Sequence, residues 1–211
     1  MSIKQWHNDI IGQKVVEALK KNYFDAVYFS DQEGAEEHIL QYISPGNIVS
    51  FGGSMTLTED MEFQKKVVAK GGNITEFSYE SPEIMAECMR KQLLSDVFLS
   101  SSNAVTMDGY LVNIDGVGNR VAAMTFGPKK VILVVGTNKI CPDVESAWKR
   151  LERIASPMNM KRLELDTPCS KTGYCVDCRS ESRGCRIYSV IKRKPRLTDI
   201  TVVVIGQNLG Y

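Results

Sequence analysis

The sequence has little of several things that would place a protein in a class at once. Its 211 residues include only two histidines and two tryptophans, and no apolar run reaches the roughly 18 residues expected of a membrane-spanning helix. The first residues, 1–7, lack the apolar core of a secretory signal. The catalytic patterns GxSxG and HExxH are also missing. These absences predict a cytoplasmic protein without a membrane partner.

An excess of charge of one sign is missing too. Lys+Arg 26 against Asp+Glu 25 leaves a formal net charge of +1. Such a balance gives the whole molecule no electrostatic reason to bind nucleic acid or an anionic membrane. The one local basic stretch, 192–196, is typical of a solvated surface. We therefore predict no nucleic-acid partner.

What the sequence does have is an alternation of strand-like and helix-like segments along most of its length. The stretches 130–136 and 200–206 are nearly continuous in Val, Ile and Leu, as in strands of a parallel sheet that helices cover on both faces. The alternation predicts an α/β fold with a mainly parallel sheet and helices on both faces. No linker interrupts the chain, so we expect a single domain over 1–211.

Some segments have a weaker pattern. We expect a helix over 56–70 and a strand over 74–79. Within 103–125 we expect a hairpin-like insertion of short strands joined by Asp-Gly turns, the last strand covering 121–125. Residues 156–185 look irregular.

The turn Gly52-Gly53-Ser54 is the first candidate ligand site. It connects a predicted strand to a predicted helix, at the strand end where parallel α/β proteins usually bind ligands. The two glycines let the backbone approach a ligand closely, and Ser54 or Thr56 can cap the helix. The N–H groups and dipole of a helix start favour an anion. The turn predicts a site for a small anionic metabolite or nucleotide, while a plain tight turn stays open as the alternative.

A second group of polar and small residues lies between positions 103 and 120. Asp108 and Asp115 are the candidate catalytic residues, because a carboxylate can act as a general acid or base or as a metal ligand. Arg120 can hold a carboxylate or phosphate with two parallel hydrogen bonds. Asp-Gly and Asn-Arg are also common turn pairs, so a purely local role stays open. The candidate ligand-binding residues here are Asn103, Thr106, Gly109, Gly118, Asn119 and Arg120.

Four of the six cysteines crowd into the segment 167–186, which we call the cysteine segment. They are Cys169, Cys175, Cys178 and Cys185. In a reducing compartment such a cluster indicates metal ligands rather than disulfides. Four thiolates suit zinc or an iron–sulfur cluster. The spacing matches no common zinc-finger or ferredoxin pattern, so zinc, an iron–sulfur cluster, reduced free cysteines and a redox-active thiol pair all stay open.

Taken together, the motifs resemble the LUD-domain (lactate-utilisation) family. The resemblance covers nearly the whole chain and rests on Phe51 to Ser54, Asn103 to Gly109, Asp115 to Arg120, Val134 to Ile140, Thr167 to Arg186 and Leu209-Gly210. It implies a fold similar to that of glucosamine-6-phosphate isomerases, ribose-5-phosphate isomerases and CoA transferases (NagB/RpiA/CoA-transferase-like). It also implies work beside iron–sulfur partners in the oxidation of lactate to pyruvate. The catalytic glutamate of a CoA transferase has no obvious counterpart, because Glu59 and Asp60 fall in a predicted helix.

Three functions follow as hypotheses. The first is a LUD-type protein that binds a small anionic metabolite or nucleotide in organic-acid oxidation, with a metal or cluster in the cysteine segment. The second is a sugar-phosphate or acyl/CoA-type enzyme of the same fold. The third is a non-catalytic accessory subunit that docks on a redox partner protein. The sequence leaves a homo-oligomer open in each case.

Overall fold

Six parallel strands form the central sheet of the molecule, in a computed structural model that describes residues 2–211. The strands of the described residues are β1 (Asp25–Phe29), β2 (Ile48–Phe51), β3 (Asn73–Ile74), β4 (Val97–Ser100), β5 (Ala104–Thr106), β6 (Leu111–Asp115), β7 (Lys130–Gly136), β8 (Ile140–Cys141), β9 (Ile187–Ile191) and β10 (Asp199–Ile205). The order in the central sheet is β1-β10-β7-β4-β2-β3. This confirms the predicted mainly parallel α/β fold.

The two central strands have the longest apolar runs. β7 and β10 pair in parallel from Lys130↔Asp199 to Gly136↔Ile205. Successive side chains of β7 alternate between two buried clusters, with Val131 in one and Ile132 in the other. Because side chains of a strand alternate between faces, each face of the sheet has its own apolar core.

Eight α-helices accompany the strands within residues 2–211. They are α1 (Ile3–Lys21), α2 (Gln32–Leu40), α3 (Phe63–Ala69), α4 (Pro82–Gln92), α5 (Asn119–Thr125), α6 (Val144–Arg150), α7 (Ser156–Arg162) and α8 (Pro168–Thr172). α1 packs Val15 and Leu19 into one core, whereas α2 and α3 pack Ile39 and Val67 into the other. Helices therefore lie on both faces of the sheet, as the apolar runs of its strands predict.

Polar residues fix the starts of the longer helices. The side chains of Ser2, Asp31 and Ser81 each accept a hydrogen bond from the backbone N–H three residues later, at the starts of α1, α2 and α4. Asp143 does the same for α6. These caps satisfy N–H groups that have no partner within the helix.

The predicted insertion over 103–125 builds a separate sheet. β5 and β6 pair antiparallel, and β8 and β9 flank them in the order β8-β5-β6-β9. The prediction of a strand over 121–125 is wrong, since these residues belong to α5. Asp115 explains the difference, because its Oδ2 accepts a hydrogen bond from the Val121 N–H at 3.3 Å in the first turn of that helix.

Three other segment predictions need correction. Residues 56–70 form a single π turn (Thr56–Asp60) and then α3, rather than one helix, with a break at Glu62, whose φ is 45°. The strand predicted over 74–79 ends at Ile74, because the chain leaves the sheet edge there and Phe77 packs on Tyr79. Residues 156–185 contain α7 and α8 and are not wholly irregular.

No helix within residues 2–211 combines the length and the apolar character that crossing a bilayer needs.

Candidate functional site

A cavity of about 810 Å³ opens at the carboxyl ends of β2 and β4. Its walls come from the turn after β2, the end of β4, the turn between β6 and α5, the loop after β7, helix α7 and the cysteine segment. Clefts at the carboxyl ends of parallel strands are where α/β proteins bind ligands. We call this space the ligand cavity.

The Gly52-Gly53-Ser54 turn lines this cavity, and its glycines have a steric cause. A Cβ on Gly52 would lie 2.4 Å from Ser100 Oγ and 2.8 Å from Phe98 Cζ, and Gly53 has a φ of 61°. Ser54 is buried, and its hydroxyl has no hydrogen-bond partner within residues 2–211. The turn leads into a single π turn with no side-chain cap, so the expected anion site at a regular helix start is not formed.

Arg120 also lines the cavity, but its guanidinium is already occupied. Its Nη1 donates to Ser101 O at 3.2 Å and Asn113 Oδ1 at 2.7 Å. Its Nη2 donates to Asn103 Oδ1 at 3.0 Å and Ile114 O at 2.7 Å. These four acceptors account for the four terminal N–H groups, and burial lowers the pKa of Arg120. Arg120 therefore positions the cavity wall and contributes positive charge, without a terminal N–H group left over for a ligand.

Asp115 holds the turn between β6 and α5. Its Oδ1 accepts hydrogen bonds from the N–H groups of Val117 at 3.2 Å and Gly118 at 2.9 Å, and Gly118 has a φ of 100°. Its Oδ2 lies 3.6 Å from Arg120 Nε. The carboxylate is buried at the cavity wall, where it fixes both the turn and the arginine.

Two asparagines complete this wall. Asn103 Oδ1 accepts from Ile114 N at 3.0 Å as well as from Arg120, and the Asn103 carbonyl accepts from Arg150 Nη1 at 2.8 Å. Asn119 Nδ2 donates to Gln92 Oε1 at 3.4 Å. Both asparagines line the cavity, so the structure brings Gly52 to Ser54, Asn103, Asp115, Asn119 and Arg120 to one place.

Three predicted site residues, Thr106, Asp108 and Gly109, lie away from the cavity. Gly118 belongs to the turn that borders the cavity, where its N–H binds Asp115, but it does not itself line the cavity. The Asp108 carbonyl accepts from Asn22 Nδ2 at 2.7 Å, beyond the end of α1, and a Cβ on Gly109 would lie 2.6 Å from the Ala18 backbone. The reason is geometric: Asp108-Gly109 forms the closed end of the β5–β6 hairpin, whereas Asn103 and Asp115 lie at its open end.

Lys139 is the residue that sequence reasoning missed. It is only 4% exposed, lines the cavity, and its Nζ lies 3.0 Å from Thr56 Oγ1 and 2.9 Å from Ser101 Oγ. Burial lowers the pKa of this amine to about 7, assisted by the positive charges of Arg150 and Arg120 and opposed by Asp60. Its position three residues after the buried strand β7 is a pattern that could have found it, because such positions face the ligand end of a parallel sheet.

The cysteine segment surrounds a second, much smaller space. All four cysteines line a cavity of about 10 Å³, with Cys169 and Cys185 buried and Cys175 and Cys178 half-buried. The Asp177 N–H donates to Cys175 Sγ at 3.4 Å. Within residues 2–211, no three or more His, Cys, Asp or Glu side chains are grouped closely enough to hold a metal ion. The thiols converge on one space without lying at ligand spacing.

Arg183 ties the cysteine segment together. Its Nε donates to the Cys185 carbonyl at 2.7 Å and its Nη1 to the Cys178 carbonyl at 2.5 Å. Asp177 forms an ion pair with the same guanidinium at 2.7 Å, and this partner raises the pKa of Arg183. The arginine thus fixes the segment between the third and fourth cysteines.

The two cavities share a wall. Ser156, Met160, Arg183, Gly184 and Cys185 line both. The Arg186 N–H donates to the Asp115 carbonyl at 3.0 Å, which joins the cysteine segment to the polar turn before α5. Whatever occupies the smaller cavity is therefore in contact with the wall of the larger one.

Fold and site together define a parallel-sheet α/β protein with a ligand cavity at the carboxyl ends of its strands. The model of the LUD domain matches residues 12–205, and the chain belongs to the LUD-domain family. At the level of the family it is a lactate-utilisation-type protein, as its motifs predict.

Two solved structures are similar to the chain. A DUF162 family protein from Deinococcus radiodurans has a TM-score of 0.53 and 11% sequence identity, with 94% of this chain and 98% of that chain covered. That likeness supports the fold alone. The eIF2B beta of Chaetomium thermophilum has a TM-score of 0.35 and 18% identity, with 53% of this chain and 44% of that chain covered. No curated protein matches the sequence.

Proposed function

We propose that this LUD-domain protein binds a small organic-acid anion in the ligand cavity, against Lys139 and Ser54. The observation that carries the proposal is the buried Lys139 amine, whose hydrogen-bond partners are the two hydroxyls of Thr56 and Ser101. Within residues 2–211 Lys139 forms no salt bridge. A buried cation without an anionic partner is costly, and a bound carboxylate would supply that partner.

The charges around the cavity agree with an anionic ligand. Five cationic side chains line it against three anionic ones, Glu59, Asp115 and Glu181; the cations are Arg120, Lys139, Arg162, Arg183 and Arg186. The unpartnered Ser54 hydroxyl adds a hydrogen-bond donor at the same wall. A volume of about 810 Å³ lies within the range of small-molecule sites. It leaves room for an organic acid larger than lactate, or for a nucleotide.

Isothermal titration calorimetry on the full chain tests this proposal. We expect lactate, pyruvate or a longer hydroxy or oxo acid to bind, and the neutral lactamide not to bind. Lys139→Met should weaken binding at least tenfold, the loss expected for a charge-assisted hydrogen bond. Lys14→Met is the matched control, because Lys14 lies exposed on α1. Equal binding of lactate and lactamide would contradict the proposal, and so would binding of nucleotides or CoA thioesters alone.

For the cysteine segment we propose a metal site. Support comes from the four thiols on one small cavity and from the Asp177 N–H that donates to Cys175 Sγ, an arrangement that stabilises a thiolate ligand. A space of about 10 Å³ suits one small ion better than a cluster, so we favour zinc over iron–sulfur. Zinc would bind all four cysteines of this segment, with Cys175 and Cys178 moving inward from their half-buried positions.

Metal analysis of anaerobically purified protein tests the metal site. We expect about one zinc per chain and a colourless solution. The double variant Cys175→Ser and Cys178→Ser should lose the metal, whereas Cys88→Ser on α4 should keep it. The site would be contradicted if the purified protein held no metal and its melting temperature did not change when a chelator was added. An iron–sulfur absorption spectrum would indicate a cluster instead of zinc.

Oxidation of an organic acid also needs an electron acceptor. Neither a lysine amine nor a zinc ion accepts electrons, so a role in lactate-type oxidation requires an acceptor from outside these groups. We propose that a cytoplasmic redox partner protein supplies it. Purification from a native cytoplasmic extract should recover that partner with the wild-type chain and not with a variant whose cysteine segment is disrupted. Recovery of the chain alone under both conditions would contradict it.

A further inference from the structure

The Lys139 amine differs in its surroundings from an ordinary anion-binding lysine. A lysine in a binding pocket for anions normally stays protonated and acts as a point charge. Here Arg150 and Arg120 add positive charge around the same amine, and burial removes its hydration. Two neighbouring cations together with burial are what turn a lysine from a cation into a nucleophile.

The hydroxyls around Nζ accommodate a neutral amine as well as an ammonium. Its two neighbours, Thr56 Oγ1 and Ser101 Oγ, are hydroxyls that can donate a hydrogen bond to an amine lone pair or accept one from its N–H. The pKa of about 7 makes both protonation states accessible near neutral pH. An amine that alternates between these states can both attack a carbonyl and transfer a proton.

Lys139 borders the ligand cavity, and the chain beside its amine carries no side chain at position 210. A Cβ on Gly210 would lie 3.2 Å from Lys139 Nζ and 2.7 Å from Thr56 Oγ1. Any side chain at 210 would therefore crowd the amine. Lys139 and Ser54 line the same cavity, so a ligand held by its carboxylate near Ser54 can present a second group to Nζ.

We propose that Lys139 forms an imine with the carbonyl carbon of a 2-oxo acid bound in the ligand cavity. The inference rests on the proposed function and narrows its substrate class to acids that carry a carbonyl beside the carboxylate. The neutral amine adds to the carbonyl carbon, the C–N bond forms, and the carbonyl oxygen leaves as water. The two amine protons and that oxygen make up the water, so no oxidant or reductant takes part.

Reductive trapping tests the imine. The full chain is incubated with pyruvate and cyanoborohydride, which reduces an imine to a stable secondary amine. The mass of the intact protein is then measured by mass spectrometry. We expect a single saturable adduct equal to the mass of pyruvic acid less one oxygen atom, mapped to the peptide that contains Lys139. Lactate, which has a hydroxyl in place of the ketone, should give no adduct. Without cyanoborohydride the mass should return to that of the free chain after denaturation.

Two variants separate the outcomes. Lys139→Met should abolish the adduct, and Lys14→Met should keep it in full; circular dichroism tests whether each variant is folded. If Lys139→Met does not fold, the mapping of the wild-type adduct decides the question. Binding of pyruvate and lactate without any adduct would overturn the imine and leave the proposed function standing. Adducts spread over surface lysines would overturn it too, and binding of neither acid would contradict the proposed function itself.

Discussion

Arg120 Nη1 lies 2.7 Å from Asn113 Oδ1, a contact that joins helix α5 to the buried strand β6. The same asparagine oxygen accepts the Asn103 N–H at 3.0 Å, and Asn113 Nδ2 donates to Ser102 Oγ at 3.1 Å. A single buried amide therefore joins the segment just before β5 to β6, and bonds both to an α5 arginine that has no free terminal N–H group. The polar wall of the ligand cavity depends on this network.

Arg120→Lys should lower the free energy of unfolding by about 3 kcal/mol, because an ammonium cannot reach the four acceptors and leaves buried carbonyls unsatisfied. Urea unfolding followed by circular dichroism measures the change. Arg196→Lys, on the exposed basic stretch, is the matched control. A loss no larger than that of the control would show that the network contributes little.

Gly52→Ala should destabilise the protein by about 1–3 kcal/mol, the usual cost of overpacking. The new Cβ would lie 2.4 Å from Ser100 Oγ, so Ser100→Ala in the same chain should recover part of the loss. Thermal unfolding of the two single variants and the double variant gives the coupling energy. Strictly additive effects would mean that the Ser100 hydroxyl is not what excludes a side chain at 52.

The buried amine of Lys139 should make stability depend on pH. Its pKa is lowered to about 7 in the folded chain, against an ordinary value near 10.4 when unfolded. Between these values the unfolded state binds the extra proton, so stability should rise with pH from about 7 to 10, by at most about 1.4 kcal/mol per pH unit. Below the folded pKa both states carry the proton, so the full cost of burying the charged amine is present and stability no longer depends on pH through this group. Urea unfolding at pH 7.5, 8.5 and 9.5 should show a steeper rise for wild type than for Lys139→Met, and parallel slopes would contradict it.

Arg183→Met should loosen the cysteine segment, because the carbonyls of Cys178 and Cys185 lose their shared donor. In metal-free protein the buried Cys185 thiol should then react with a thiol reagent at least tenfold faster. Stopped-flow absorbance measures the rates. Arg179→Met changes an exposed arginine of the same segment and should leave them as in wild type; equal acceleration in both variants would point to loss of charge instead.

Asp108→Ala should leave ligand affinity unchanged, although the sequence marks Asp108 as a candidate catalytic residue. The backbone carbonyl of Asp108 accepts a hydrogen bond from Asn22, and Asp108 does not line the ligand cavity. Calorimetry with the acid that binds wild type best provides the comparison, beside Lys139→Met. A tenfold loss in Asp108→Ala would place a second site at the hairpin end.

The parts of the fold that the sequence predicts well are those in which one physical requirement dominates. The run Lys130 to Gly136 can only be a strand buried on both faces, and the glycines at 52 and 53 mark a turn with no room for a side chain. The stretch 121–125 was mispredicted, because its β-branched ends suit a strand while the tertiary hydrogen bond from Val121 to Asp115 selects a helix.

The candidate site was predictable only where its residues share one strand end. Asn103 and Asp115 come together because hairpin pairing brings the two ends of 103–115 side by side. The same pairing carries Asp108 to the opposite end, which a sequence pattern without register cannot reveal. Lys139 lies 83 positions from Thr56, and only the parallel order of β2, β4 and β7 places the two in contact.

The wall that the ligand cavity shares with the cysteine segment limits how this chain can change. Gly116 and Gly184 approach so closely that a Cβ on Gly116 would lie 3.0 Å from the Gly184 carbonyl. A substitution that changes the shape of Gly184 or Cys185 on the side of the larger cavity also displaces the thiols behind it. Phe77 and Tyr79 line the larger cavity alone, so a change there reshapes the cavity and leaves the sulfur atoms undisturbed.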